Sequence, residues 1–374
     1  MKILLIHLDN KFNLCPPAIN VLENLLEHGH QVNLIGYNLS ELNSEIKSNN
    51  KLVCFDLGKR VDPNNEIVKY YHRFKTRTIV RSYVKEIIRE HDIVWTTSEI
   101  TVRELGPVLN LSNRHIMQLM ELSEFVPKFG GYKLFKFNIK KYAQSAYKVV
   151  VPEVNRAYIT KTWWELSTLP SILPNKPYRI KNSGELSKDA SRILEKVKNE
   201  KRKIILYQGG FTADRKFDLF AEAIRQLNNE YCLYLMGPDN QYRESICEKY
   251  PEIEYLGSLI PPEHLEVAAF SHIGILTYIP VNDGFHSSLN AQYCAPNKTF
   301  EYALKQLPMI GTDVMGLQEI FKEFNIGVCL KNESSEAVIE AIACIENNYD
   351  NMKKQCIEYY ESVDLGKLLN KIIE

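Results

Sequence analysis

The feature that most constrains this chain is an alternation of short, continuous apolar runs with helical stretches, and it occurs twice. In the first half, residues 2–8, 31–36, 52–57, 92–96, 115–119 and 148–152 are rich in Val, Ile and Leu. Apolar runs of this length without polar alternation read as strands buried on both faces. Between the first two, residues 18–28 place Ile19, Leu22, Leu25 and Leu26 at helical spacing, and Gly29 stands where a helix end favours glycine. Strand, helix and strand in that order predict a parallel sheet. A second series follows Lys203, with strands at 204–208, 231–236, 253–255, 273–278, 309–311 and 327–330 and helices at 217–227 and 298–305 between them. The expectation is an α/β chain of two doubly wound parallel-sheet domains facing across a cleft, with ligands outside the carboxyl ends of the strands.

The 374 residues suit two domains of ordinary size. Pro170, Pro174 and Pro177 precede a polar stretch at 181–188, which reads as a hinge. The predicted layout is a first domain at 1–175, a linker at 176–200 and a second domain at 201–350. A helix at 351–374 either caps the second domain or crosses back to the first. No apolar run approaches the roughly 20 residues that span a bilayer, and the apolar start is too short for a signal peptide, so a cytoplasmic location is expected. The eight cysteines form no C-x-x-C pair, which points to reduced, mostly buried thiols rather than zinc or disulfides. Net charge is zero, but residues 1–180 carry 25 Lys and Arg against 17 Asp and Glu, and the remainder carries 21 against 29. The two halves therefore face different fields.

Two constellations carry candidate chemistry. The run Ala295-Pro296-Asn297-Lys298-Thr299-Phe300-Glu301-Tyr302 opens a helix whose first-turn N–H groups, with Lys298, suit a phosphate. Asn297 and Glu301 share one face of it, and Glu301 is suited to accept two hydrogen bonds from a vicinal diol such as a ribose. A solvated Glu301 on a capped surface helix is the competing reading. The second constellation is Tyr207-Gln208-Gly209-Gly210-Phe211, followed by Arg215 and Lys216. A strand ends in a glycine pair, where backbone approaches a ligand closely, and two cations follow that could hold a pyrophosphate. Neither a Walker A loop nor a G-x-G-x-x-G fingerprint occurs.

The order of these elements, with Met236-Gly237-Pro238, Tyr255-Leu256-Gly257 and Leu307-Pro308-Met309-Ile310 between and after them, resembles the donor-binding half of a GT-B glycosyltransferase of the family-4-like group (glycosyl transferases group 1). The resemblance covers about 204–345 and implies two Rossmann-like domains. It assigns the ribose of a nucleotide sugar to Glu301 and the diphosphate to the basic pair after the glycine loop. In that family a second Glu stands eight residues before Glu301, and here that position is Tyr293. The family's Arg directly after the loop glycine is replaced by Phe211, which leaves Arg215 and Lys216 for the phosphates. Asn290, in a polar stretch that begins at Asn282, is a further donor-side candidate. In the first half, Leu119-Met120-Glu121-Leu122 resembles a Leu-His-Glu-Leu element, with Met120 in the histidine's place and Glu121 as the candidate catalytic carboxylate. A carboxylate that merely ends a strand is the alternative.

Two basic, aromatic-rich stretches, 69–89 and 128–142, account for the positive first half. A solvated face is one reading of them; between the two binding readings, peripheral contact with an anionic membrane at its inner face is expected over single-stranded nucleic acid, since no RNA-binding signature accompanies them. The reading is a glycosyltransferase that moves a sugar from a nucleotide-sugar donor, UDP-linked by expectation, to a glycan or lipid-linked acceptor in cell-surface polysaccharide or glycolipid synthesis. The resemblance implies a retaining outcome. No Asp-x-Asp motif occurs, so neither a metal nor another cofactor is expected, and nucleic acid is not expected as a partner. An inactive sugar-binding or regulatory protein and a UDP-sugar epimerase of the same architecture are the alternatives.

Overall fold

Along the strand Lys203–Gln208, Ile204 and Leu206 enter one apolar cluster while Ile205 and Tyr207 enter another on the opposite face. Alternate side chains of a strand point to opposite faces, so an unbroken apolar run is what a sheet covered by helices on both sides requires. The computed structural model describes residues 1–374 except 61–64, 129–134, 178–185, 260 and 282–286.

The chain forms two units, one of Met1–Arg179, Asn282–Asn290 and Asp364–Glu374, the other of Ile180–Val281 and Ala291–Val363. In the first unit the strands are β1 (Lys2–Lys11), β2 (Gln31–Tyr37), β3 (Leu52–Asp56), β4 (Ile93–Thr97) and β5 (His115–Gln118), then a short antiparallel pair, β6 (Val126–Pro127) and β7 (Lys136–Phe137), then β8 (Lys148–Val151) and β9 (Ser171–Ile172). Seven of these make a parallel sheet in the order β3-β2-β1-β4-β5-β8-β9. In the second unit β10 (Lys203–Gln208), β11 (Tyr231–Met236), β12 (Ile253–Tyr255), β13 (Ile273–Leu276), β14 (Met309–Gly311) and β15 (Gly327–Cys329) pair in parallel in the order β12-β11-β10-β13-β14-β15. This is the doubly wound order, with the switch point between β10 and β13; its counterpart in the first sheet lies between β1 and β4.

Several details differ from the sequence reading. β3 is an edge strand, and Val53 is 59% exposed on it, so this run is not buried on both faces. The stretch read as a linker contains the helix Lys188–Asn199, whose Ala190, Ile193, Leu194 and Val197 lie in the second unit's core; the linker's 178–185 fall outside the described residues. The expected helix at 351–374 is two helices, Tyr349–Glu361 in the second unit and Leu365–Ile373 in the first. The latter is tied down where the Tyr147 hydroxyl donates to the Glu374 carbonyl at 2.9 Å and Lys148 to that of Lys371 at 2.8 Å. The cysteines are all free thiols, four of them buried, two half-buried and two exposed.

The helix Glu66–Ile87 turns part of its basic stretch inward. Val80 and Val84 are buried, and Arg73, Arg77 and Arg81, one turn apart, reach Glu104 by its carboxylate or its carbonyl. These three arginines are half-buried and tied to Glu104, so they do not form a fully exposed basic face. Its outer side exposes Tyr71 and Phe74 beside Lys75. In the 128–142 stretch, residues 129–134, with Lys133, lie outside the described residues, Lys136 sits 4.3 Å from the Phe125 ring centre and Lys140 pairs with Glu165.

Candidate donor site in the second unit

The second sheet's switch point is built by a glycine turn. Gly209 follows β10 with φ of +145°, and a methyl group there would come within 3.0 Å of the Lys298 ammonium. Only glycine permits both that backbone and that approach. Gly237, after β11, is equally constrained, because a methyl group on it would lie 1.9 Å from the Gly209 carbonyl oxygen. Gly210 borders open space, and its carbonyl accepts a hydrogen bond from the Tyr207 hydroxyl at 2.8 Å.

Lys298 reaches this turn from the helix Asn297–Leu304. That helix is anchored by Tyr302, whose ring fills the space left by the missing side chain of Gly274 and whose hydroxyl accepts from the Gln208 N–H at 3.2 Å. Phe300 stacks on Tyr359 at 4.7 Å between ring centres. Packed on these sides, the helix buries Glu301 to 7% exposure, which excludes the competing reading of a solvated carboxylate on a surface helix.

Glu301 faces His264, with Oε2 and Nε2 3.6 Å apart. Burial opposes its charge, but hydrogen bonding and charge from His264, with the charge of Lys298, hold the carboxyl below its ordinary range. Burial pushes the Lys298 ammonium down, Glu301 pulls it back up, and the like charge of Arg215 pushes it down again. Arg215 lies over the Tyr278 ring, 4.8 Å from its centre, and donates to the Thr277 carbonyl just beyond β13. Two cations and a glycine turn thus converge at the switch point with one buried carboxylate. Such a set can hold a diphosphate, with a carboxylate available to a hydroxyl beside it.

The sequence candidates Gly209, Arg215, Lys298 and Glu301 belong to this cluster, Gly210 borders it, and Asn297 is half-buried in the first turn of the same helix. Lys216 turns elsewhere: its backbone is left-handed at φ of +52°, and its ammonium is 3.9 Å from Glu333. Asn290 belongs to the first unit, where its amide donates to Glu121 at 2.8 Å and accepts from the Leu122 N–H at 2.9 Å. Arg156 secures this corner through the carbonyls of Met120 and Asn290. Residues 282–286 of the same loop lie outside the described residues.

Sequence reasoning passed over His264 and Glu99. Nothing in the local pattern marks His264, which meets Glu301 only in the fold. Glu99 has a positional signal, since it directly follows Ser98 at the carboxyl end of β4, beside the first sheet's switch point. Its carboxylate accepts the Glu121 N–H at 3.1 Å. Burial first, then the charges of Glu121 and Asp9, push the Glu99 carboxyl up to about 8. Among the described residues, no group of three or more His, Cys, Asp or Glu side chains could hold a metal ion, and no helix is long and apolar enough to cross a membrane.

These two parallel-sheet units make a GT-B fold. Residues 202–348 match the family described as glycosyl transferases group 1. Among solved structures, a glycosyltransferase from Rickettsia africae is similar, with a TM-score of 0.66 and 14% identity, over 100% of this chain and 96% of that one. Anabaena HepE, in complex with UDP-glucose, matches with a TM-score of 0.66 and 11% identity over 100% and 98% of the two chains. Sucrose-phosphate synthase from Thermosynechococcus elongatus matches with a TM-score of 0.70 and 14% identity over 100% and 97%. No curated protein matches the sequence.

Proposed function

We propose that the protein transfers a sugar from a UDP-sugar to an acceptor hydroxyl, without a metal ion and with retention at the sugar's anomeric carbon. The observation that carries this reading is Lys298 at the Gly209 turn beside the buried Glu301, with Arg215, anchored at the end of β13, close enough to bear on the charge of Lys298. Charge develops on the leaving diphosphate as the glycosidic bond breaks, and fixed cations and backbone N–H groups stabilise it in the role a divalent ion plays elsewhere. Glu301, held ionised by His264 and Lys298, accepts the ribose hydroxyls. The UDP-glucose bound by Anabaena HepE supports the choice of nucleotide, and retention rests on the family resemblance.

In this reading Glu121 lines the acceptor side, held by Asn290. The acceptor is a growing polysaccharide or a glycolipid, met at the cytoplasmic face of a membrane. Exposed Tyr71 and Phe74 beside Lys75 supply the apolar and cationic contacts that such a surface needs.

A nucleotide-sugar panel read by thermal shift, followed by an assay of released nucleoside diphosphate with and without a membrane and glycan extract, tests the reading. Stabilisation by one UDP-sugar and UDP release only with extract are expected. Binding without release indicates a regulatory sugar-binding protein, and isomerisation of the UDP-sugar without release indicates an epimerase. Either outcome would overturn the transferase reading.

A further inference from the structure

Residues 263–268 join three parts of the second unit: the helix that carries Glu301, the end of β10, and the helix Lys188–Asn199. Their own helix, His264–Ala268, is seated by Leu265, Val267 and Ala268, all buried in the second unit's core. The helix Asn297–Leu304 meets it at Glu301, and Lys305, directly after that helix, meets it again. These two residues are four apart and so lie on one face. Glu301 faces His264, and Lys305 pairs with Glu266 at 3.0 Å. Gln208, the last residue of β10, donates from its side-chain amide to the His264 carbonyl at 2.7 Å.

Glu263 carries the far anchor. One of its carboxylate oxygens accepts the Ser187 N–H at 2.6 Å, and the other accepts the Ser187 hydroxyl at 2.7 Å. The hydroxyl oxygen in turn accepts the Ala190 N–H at 3.2 Å, so Ser187 caps the helix Lys188–Asn199 and holds Glu263 at once. A two-pronged contact to a carboxylate fixes an orientation as well as a distance. His264 follows Glu263 directly. Its backbone is therefore set from both sides, through Glu263 on Ser187 and through its own carbonyl on Gln208.

The ring of His264 has Glu301 as its polar partner. Nδ1 is buried and has no hydrogen-bond partner among the described residues, while Nε2 lies 3.6 Å from Glu301 Oε2. A carboxylate takes two hydrogen bonds from a vicinal diol only when its oxygens are aimed at it, and a Glu side chain rotates unless something holds it. Phe300 and Tyr302 anchor the helix on which Glu301 stands, whereas His264 meets the carboxylate itself. We infer that His264 is a positioning residue, held in place by Glu263 on Ser187, which orients the Glu301 carboxylate toward the ribose diol of the nucleotide. The inference rests on the donor reading above. What this arrangement sets is the preference for a nucleotide that carries both ribose hydroxyls over one that carries neither.

Calorimetric titration of the intact protein with UDP and with 2′,3′-dideoxyuridine 5′-diphosphate tests the inference, because the ratio of the two affinities reports on the diol alone. Wild type is expected to favour UDP at least about tenfold, from two hydrogen bonds to a charged acceptor. His264→Ala should cut that ratio about fivefold and Glu263→Ala about threefold, each leaving the dideoxy affinity within about twofold of wild type. His264→Gln, which places an amide N–H near the position of Nε2, guards against a folding defect and should keep most of the ratio. A ratio unchanged in His264→Ala, a His264→Gln ratio as low as that of His264→Ala, or affinities for both nucleotides that fall together overturns the positioning role and leaves the donor reading standing. A ratio that falls with His264→Ala but not with Glu263→Ala overturns the part given to Glu263. Wild-type protein that binds neither nucleotide, or both equally, overturns the donor reading or its ribose assignment, and the positioning role with it.

Discussion

The two sheets share a strand order, but the groups gathered at their switch points differ in sign. In the second unit Lys298 meets the turn after β10, Arg215 at the end of β13 bears on its charge, and the carboxylate of Glu301 is held ionised by its partners. In the first, Glu99 at the end of β4 sits under the influence of Glu121 and Asp9, and burial with like charge favours its neutral form. The backbone plan fixes where a ligand can lie; the few side chains that follow each strand decide whether the place suits an anion or a neutral hydroxyl. In the proposed function a diphosphate lies at the first kind of strand end and a sugar hydroxyl at the second.

Removing cations from the second unit should break this contrast most strongly. Arg215→Ala and Lys298→Ala are each expected to weaken UDP binding about 10- to 100-fold, the loss of a hydrogen bond to a charged group of about 1.5–3 kcal/mol, while uridine binding changes little. Lys216→Ala, whose ammonium is directed at Glu333, should change UDP affinity by less than about threefold. Calorimetry on the three variants with both ligands decides it, and equal losses for UDP and uridine would remove the diphosphate from this site.

A smaller effect is expected from Glu301→Gln, which keeps the shape but weakens the acceptor. Its binding loss should be about tenfold and the same for UDP and uridine, because both carry the ribose; the substitution also leaves the half-buried Lys298 with less compensating charge, so a modest fall in Tm should accompany it. A loss confined to UDP would place Glu301 near the phosphates instead.

A pH-dependent effect sharpens the contrast from the other side. A carboxyl that titrates near 8 when folded and at its ordinary 4.5 when unfolded binds more protons in the folded state between those values. Its contribution to stability is therefore full below about pH 4.5 and declines as pH rises toward 8. Glu99→Gln should match wild type in Tm near pH 5 and exceed it near pH 8.5. A Tm difference that does not change with pH would show that Glu99 titrates as an ordinary carboxylate.

Much of the fold is legible in the sequence, for a physical reason. Helices cover both faces of the central strands, so residues 3–6 of β1, 204–207 of β10 and 231–236 of β11 are unbroken apolar runs, and three second-unit strands, β11, β12 and β14, fall at their expected bounds. β3 misleads because Val53 and Phe55 carry the same pattern on an edge that is left open. The helix Lys188–Asn199 does carry its signal, with apolar residues at 190, 193, 194 and 197, but the prolines and polar residues before it suggest a hinge. The site divides in the same way. Gly209, Lys298 and Glu301 are readable because turn and helix chemistry are local. The burial of Glu301 is not, since it depends on Phe300 meeting Tyr359 and on His264, both distant in sequence. The inward turn of Arg73, Arg77 and Arg81 depends likewise on Glu104, which no periodicity within their own helix reveals.

The central claim is that the second unit binds a nucleoside diphosphate through its own cations. Titrating UDP and uridine into the intact protein in the presence of EDTA tests it most directly. The account predicts UDP binding tighter than uridine by about 100-fold or more, from two charge-assisted contacts, with EDTA making no difference. Equal affinities for the two ligands, or UDP binding that EDTA abolishes and Mg²⁺ or Mn²⁺ restores, would contradict it.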